Sequence, residues 1–239
     1  MIAAVASLKG GQAKTSTTVS VSSILASKGH GTLMVDMDPQ ASLSTWIQAG
    51  EGPTVADVLS EDVSAADALQ ETCWEDLLVI PSDRKLDIWE QRKAGVIGTH
   101  AIWRRADDVF EFVMIDTPPA YSSLSVGACQ AADVVIVPVE ASVTAVDTLG
   151  DTIQMVQDLD KEWAVLVCRV DRRTSNDISI APMLAEELGQ NRVFRTVIHE
   201  SVRMREAAAE REPPPEHSPR ANSTVDYKAF TDELLRRYA

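Results

Sequence analysis

Short apolar runs rich in β-branched residues alternate along the chain with longer stretches whose apolar positions recur at helical spacing. The runs Ile2–Ser7, Thr32–Asp36, Leu77–Pro81, Phe112–Asp116, Val134–Val139 and Ala164–Cys168 predict strands. Several are apolar at consecutive positions, the pattern of strands covered on both faces. Helices are predicted over Thr15–Lys28, Val63–Glu71, Lys85–Ala106, Ser122–Ala131, Val143–Leu159 and Ile178–Leu188. Gly29-His30-Gly31 ends the first of these with the expected C-terminal glycine. The proline-rich stretch Glu210–Asn222 reads as a surface crossing, and a last helix follows over Val225–Tyr238. There is no internal repeat. The alternation predicts an α/β fold, a mostly parallel twisted sheet with helices on both faces, organised as one domain over residues 1–239.

Composition narrows the picture without changing it. The chain is long enough to bury a substantial core, and its apolar fraction of 45% is ordinary for a globular protein. A net charge of −14 favours solubility and opposes nucleic-acid binding, so any DNA contact has to come from a local basic patch. Cys73, Cys129 and Cys168 are scattered and odd in number, which argues against a disulfide framework or a metal site within one chain. Reduced, mostly buried thiols point to the cytoplasm. No targeting segment is visible at the start, and the run Val134–Val137 has the length of a buried strand, far short of a membrane span.

The chemistry is concentrated at strand ends. Lys9-Gly10-Gly11-Gln12-Ala13-Lys14-Thr15-Ser16 lies between the first predicted strand and the first predicted helix. Glycines there let backbone N–H groups curl around phosphate oxygens, and the helix N-terminus adds a favourable dipole. Lys14 can reach the β- and γ-phosphates, and the Thr15 hydroxyl can hold Mg²⁺. Asp36 and Asp38 leave the second strand at alternate positions, on one face, within the same βαβ unit. The apolar strand Phe112–Asp116 ends in a third carboxylate, placed as a Walker B aspartate is, and Thr117-Pro118-Pro119 follows.

In these motifs the chain resembles the deviant Walker A ATPases, the ParA and MinD family of P-loop proteins, in a stand-alone form with no helix-turn-helix domain before the first strand. Lys9 resembles the family's extra lysine, and Asp36-Met37-Asp38-Pro39-Gln40 resembles its DxDPQ motif. The likeness continues through Leu78–Ser82, Val135–Val139, Val165–Asp171, Val197–Arg203 and Asp226-Tyr227, and is weak between Glu51 and Arg105. It implies ATP and Mg²⁺ as cofactors, held by Lys9 through Ser16, with Thr15, Asp36 and Asp116 at the metal. It further implies slow hydrolysis through Asp38, helped by Lys14 and by Lys9 crossing to a partner in an ATP-bound homodimer. One position departs from the family: Ala13 stands where glycine is usual, and a Cβ there hinders the backbone.

The ParA likeness further implies non-specific DNA binding by the dimer, nucleoid association when ATP is bound, and a cargo-bound ParB-like protein that stimulates hydrolysis. Between Arg169 and Arg211 eight arginines oppose seven carboxylates, a locally basic segment in an acidic chain. Arg172, Arg173, Arg192, Arg195, Arg203 and Arg205 are its candidate DNA contacts. The alternative is a MinD-like positioning ATPase directed at a protein or membrane. Tyr227, Phe230, Leu234 and Tyr238 form an apolar stripe on the last predicted helix, but its charges balance, so no membrane partner is expected. A nucleotide-binding scaffold with little turnover is a third reading, motivated by Ala13. The region around Trp74, Trp89 and Trp103 is a candidate surface for the stimulating partner, and those tryptophans read equally well as core or edge packing.

Overall fold

The computed structural model describes residues 1–90, 103, 106, 109–142, 144, 146 and 148–239. Among them, β1 (Ile2–Val5), β2 (Thr32–Asp36), β3 (Gln70–Glu71), β4 (Leu77–Ile80), β5 (Phe112–Asp116), β6 (Val134–Glu140) and β7 (Trp163–Cys168) form one sheet. Their order is β3-β4-β2-β5-β1-β6-β7, and every pairing is parallel except β3 with β4. The chain moves outward from β1 to β2 and later returns to fill both sides of β1. That reversal creates a crevice at the carboxyl ends of the central strands, where α/β proteins bind ligands.

The unbroken apolar runs are explained by the two layers around the sheet. Ile2, Ala4, Leu33 and Val113 point to one face and pack with α3 (Val55–Leu59), α5 (Ser123–Ala131), α6 (Leu149–Asp158) and α7 (Ser175–Leu188). Ala3, Val5, Phe112 and Met114 point to the other. That face is covered by α1 (Lys14–Ser27) and α10 (Asn222–Tyr238), with α2 (Ser42–Trp46) and α8 (Val202–Glu210) at its side. Each aliphatic side chain so buried contributes about 1.5–3 kcal/mol, which fixes which strands lie inside. Helix α1 is rich in serine and threonine yet buried, because small side chains let it lie close to α10, where the hydroxyls of Thr17 and Tyr227 meet at 3.0 Å.

Several expectations need correction. No helix spans Val63–Glu71: the helix lies earlier, at α3, whose Asp57 carboxylate accepts from the Thr54 N–H at 2.9 Å. The alanine-rich segment after it makes one turn, and Gln70 and Glu71 then pair with Val79 and Leu78 of β4. Pairing an edge strand satisfies backbone groups that local helix propensity would have satisfied elsewhere. Of Lys85–Ala106, the structure shows a short 3₁₀ turn over Arg84–Leu86 and α4 (Asp87–Glu90). Most of the remainder lies outside the described residues, as do parts of the stretch before α6. The proline-rich crossing is packed: Pro213 and Pro214 are buried and α9 (Pro214–His217) begins there. The Trp46 indole N–H anchors it by donating to the Glu212 carbonyl at 2.8 Å.

The tryptophans do not form a surface. Trp103 is fully buried in the first core, and Trp89 and Trp74 are half-buried against core residues. The stripe on α10 is likewise used up inside the fold, where Tyr227, Phe230 and Leu234 are buried and Phe194 meets Phe230 edge-on at 4.7 Å. Among the described residues no helix is long and apolar enough to cross a membrane. Cys129 and Cys168 are buried, which pushes both thiols up to about 12, and Cys73 is exposed.

Candidate nucleotide site

The loop between β1 and α1 has the curl that its composition predicts. Gly11 has φ +78°, and Ala13, capping α1, sits in the left-handed region at φ 61°, ψ 24°. Ala13 thus adopts the conformation for which glycine is suited, and its Cβ leans toward the second core. Gln12 is buried and ties the loop to the sheet, its Oε1 accepting from the Glu140 N–H at 2.8 Å at the end of β6. Ahead of the loop, the Leu8 N–H donates to Thr152 Oγ1 of α6 at 3.1 Å. Lys9 Nζ rests on the exposed carbonyl of Thr144 at 3.3 Å. Lys14, only 7% exposed, turns inward, its Nζ 3.5 Å from the Lys9 carbonyl.

The parallel register of β2 and β5 sets Asp36 directly beside Asp116. Both are completely buried. Asp116 Oδ2 accepts from the Thr15 hydroxyl at 2.6 Å, whereas its Oδ1 is buried with no protein partner. Asp36 is fully engaged: Oδ2 accepts from the Ser44 hydroxyl (2.6 Å) and N–H (2.9 Å), and Oδ1 from the Asp38 N–H (3.1 Å). Ser44 Oγ in turn accepts from the Ser82 N–H at 2.9 Å, and the Ser82 hydroxyl donates to the Asp38 carbonyl at 2.7 Å. Ser44 and Ser82 thus hold the carboxylate strand ends together, a role no motif in the sequence announces.

Burial dominates the electrostatics. It pushes the Asp116 carboxyl up to about 8, with Asp36 beside it adding repulsion. It pushes Asp36 up to about 6 against the hydrogen bonds from Ser44. Asp38, 8% exposed, is also raised by burial, while the Gln40 N–H and Lys14 hold it back. Burial lowers Lys14 although Asp116 and Asp38 favour its charge. Asp116 and Asp38 near the Lys14 ammonium, Asp36 beside Asp116, and an orphaned carboxylate oxygen on the Asp116 that takes the Thr15 hydroxyl form the oxygen-rich donor set that a hard divalent cation prefers. The residues present therefore fit Mg²⁺, which Thr15 and Asp116 would hold, with Asp36 beside Asp116 in register.

Beside the loop lies a cavity of about 120 Å³ bordered by Ala13 and Ser16, Cys168 and Arg169, His199, Met204, Arg205 and Tyr227. It gathers the end of β7, the segment after it and α8 around the phosphate end of α1. Arg169 is held in the left-handed region at φ 58°, its guanidinium 3.6 Å from both Glu140 and Glu200.

The six candidate DNA arginines fall in two places. The segment from Arg192 onward runs alongside β7, with Val193 level with Val165 and His199 level with Val170. Arg172, Arg173, Arg203 and Arg205 therefore lie toward the nucleotide end of the sheet, and Arg192 lies toward the opposite end. Arg173 is paired with Asp171, Arg203 with Glu206 and Arg192 with Glu162. Arg195 borders a polar hollow together with Arg236 and Arg237. Arg237 is committed to Glu233 there.

A family model described as an AAA domain matches residues 1–167. The chromosome partitioning protein ParA of Caulobacter vibrioides is 30% identical over 222 residues, 86% of this chain and 83% of ParA. The chain belongs to the ParA/MinD family of P-loop ATPases. Among solved structures, apo McdA of Cyanothece superposes with a TM-score of 0.87 at 25% identity, covering 98% of each chain. A structure of cobyrinic acid a,c-diamide synthase from Mycobacterium smegmatis, with bound ADP and magnesium, gives 0.81 at 25% identity over 99% of this chain and 94% of that one. As a member of the ParA/MinD family this protein is an ATPase that uses ATP and Mg²⁺. The seven-stranded, mostly parallel sheet is the family's fold.

Proposed function

We propose that this ATPase positions a large cargo: ATP closes two copies into a homodimer that holds non-specific DNA, and hydrolysis, stimulated by a cargo-bound ParB-like protein, releases it. The observation that carries the reading is Lys9. Among the described residues Lys9 pairs with no carboxylate, and its ammonium rests on an exposed carbonyl at the mouth of the loop. Such a lysine is available to a partner's phosphates, where it would act as an arginine finger does.

Within one protomer, the loop N–H groups from Gly10 to Ser16 and the Lys14 ammonium bind the phosphates. The cavity beside Ser16 receives the base. Asp38 accepts a hydrogen bond from the attacking water, and the neighbouring Lys14 helps to keep it ionised. Mg²⁺, when bound, neutralises phosphate charge at Thr15 and Asp116. The protein's part is then positioning and charge stabilisation of a loose phosphoryl group.

For DNA, Arg195 and Arg236 are the strongest pair, since they share one hollow and its other arginine is already paired. The test is binding to non-specific duplex with ATP, ADP or no nucleotide, at two salt concentrations. Binding that needs ATP, weakens with salt, and has a salt slope reduced by about 2–4 in an R195E/R236E dimer supports the reading. Absence of DNA binding in every nucleotide state, with hydrolysis intact, would replace it by the MinD-like alternative directed at a protein surface.

A further inference from the structure

We propose that His199 reads the base of the bound nucleotide: its ring Nε2, set as a hydrogen-bond acceptor by Asp226, selects a purine that carries an amino group at C6. The proposal rests on the reading above, in which the cavity beside Ser16 receives the base, and names the side chains that give that cavity its preference.

His199 borders the cavity from the segment that runs alongside β7. The main chain on either side of it is fixed: the Val170 N–H donates to the Ile198 carbonyl at 3.0 Å, and the Glu200 N–H to the Val170 carbonyl at 3.1 Å. One oxygen, Asp226 Oδ2 on α10, takes both N–H groups of His199, the main-chain N–H at 3.0 Å and Nδ1 at 2.8 Å. Imidazole and carboxylate are 17% and 13% exposed, so water screens this pair little. An ionised carboxylate only accepts, so Nδ1 carries the ring proton. Arg172 Nη2, 3.3 Å from the same nitrogen, makes the longer contact and does not displace it. In the neutral ring Nε2 then keeps its lone pair, and among the described residues nothing donates to it.

Other polar groups around the cavity are committed or undiscriminating. The Tyr227 hydroxyl meets Thr17 at 3.0 Å, Arg169 is held between Glu140 and Glu200, and the Cys168 thiol lies 3.6 Å from the Leu166 carbonyl. Ser201 has a hydroxyl that donates or accepts, so it separates one base edge from another poorly. Arg205 is exposed and only donates, which favours a carbonyl at C6. An adenine amino group can donate to Nε2, whereas the C6 carbonyl of hypoxanthine or guanine would set lone pair against lone pair. Leaving a polar group unpaired in this way is what lets a site reject an analogue.

The test is titration calorimetry on the full chain with Mg²⁺ and ADP, IDP or purine riboside diphosphate, the last having only hydrogen at C6. Diphosphates keep hydrolysis out of the measurement. Wild type should favour ADP over either analogue by about tenfold or more. H199F keeps a ring without nitrogen and should bring the three affinities within about threefold of one another. D226A frees the imidazole and should do the same, whereas D226N still offers an oxygen to both N–H groups and should keep most of the preference. Each preference is a ratio within one variant, so a misfolded fraction does not alter it. Equal affinities in wild type, or a full preference in H199F, overturns the role of His199 and leaves the ATPase reading standing. A preference for IDP would overturn it in favour of Arg205, and a full preference in D226A overturns the positioning by Asp226. Ribose 5-diphosphate, which has no base, is the control: if it binds as tightly as ADP, the cavity holds no base and the reading beneath the proposal fails with it.

Discussion

Replacing Ala13 by glycine should stabilise the protein while leaving hydrolysis nearly unchanged. Ala13 holds φ 61° and ψ 24° at the N-terminus of α1. A residue with a Cβ costs about 1–2 kcal/mol in that region, a cost glycine avoids. Glycine returns part of the gain, about 0.4–1 kcal/mol, through the greater freedom of the unfolded chain. The difference is a net stabilisation of about 0.8 kcal/mol, or about 2–3 °C in Tm for a chain of this size. Valine at the same position adds β-branching to the same strain and should fall at least about 1 kcal/mol below alanine. Phosphate contacts should differ little between glycine and alanine, because the loop already has the glycine-like shape, so the ATPase rate should stay within about threefold. Thermal melts of A13G, wild type and A13V without nucleotide, with phosphate release measured in parallel, test the series. A melting order other than glycine above alanine above valine would refute the argument from backbone strain. A large rate gain in A13G would show that the alanine limits chemistry.

In the metal-free protein Asp116 and Asp36 are raised to about 8 and about 6, so the folded state keeps protons that the unfolded chain has lost. Stability should therefore fall as pH rises from about 4 to about 8, by at most about 1.4 kcal/mol per pH unit for each such proton. D116N should flatten this profile in urea denaturation and remove Mg²⁺-dependent ATP binding; an unchanged slope would mean that Asp116 does not hold its proton. S44A strips Asp36 of its hydroxyl donor and leaves the Ser82 N–H without its acceptor, which should cost about 2–3 kcal/mol in chemical denaturation. Loss of the Lys14 ammonium in K14M should reduce phosphate release by at least about a hundredfold with the fold retained by circular dichroism; near-normal turnover would remove Lys14 from the site. K9A should bind ATP normally yet show no ATP-dependent dimer by sedimentation, and a persistent dimer would count against the crossing role of Lys9.

Much of this protein was legible along the chain. The unbroken apolar runs announced strands covered on both faces, because a doubly buried strand tolerates no alternation. Lys14, Thr15, Asp36, Asp38 and Asp116 were legible as candidates because phosphate and metal chemistry uses those groups at strand ends, at short fixed spacing. What local pattern could not decide was anything that depends on a distant neighbour. The segment at Gln70 and Glu71 reads as helix until the edge of β4 offers its backbone partners. Trp103 reads as well for surface as for core until the first core closes over it. Ser44 and Ser82 carry no motif, and become supports of Asp36 and Asp38 only because β2 and β4 lie side by side. Arg195 and Arg236 stand far apart in sequence and share a hollow only once the last helix has packed beneath Phe194. Burial, register and charge proximity are properties of the folded packing, and they alone set the protonation of Asp116 and the exposed resting place of Lys9.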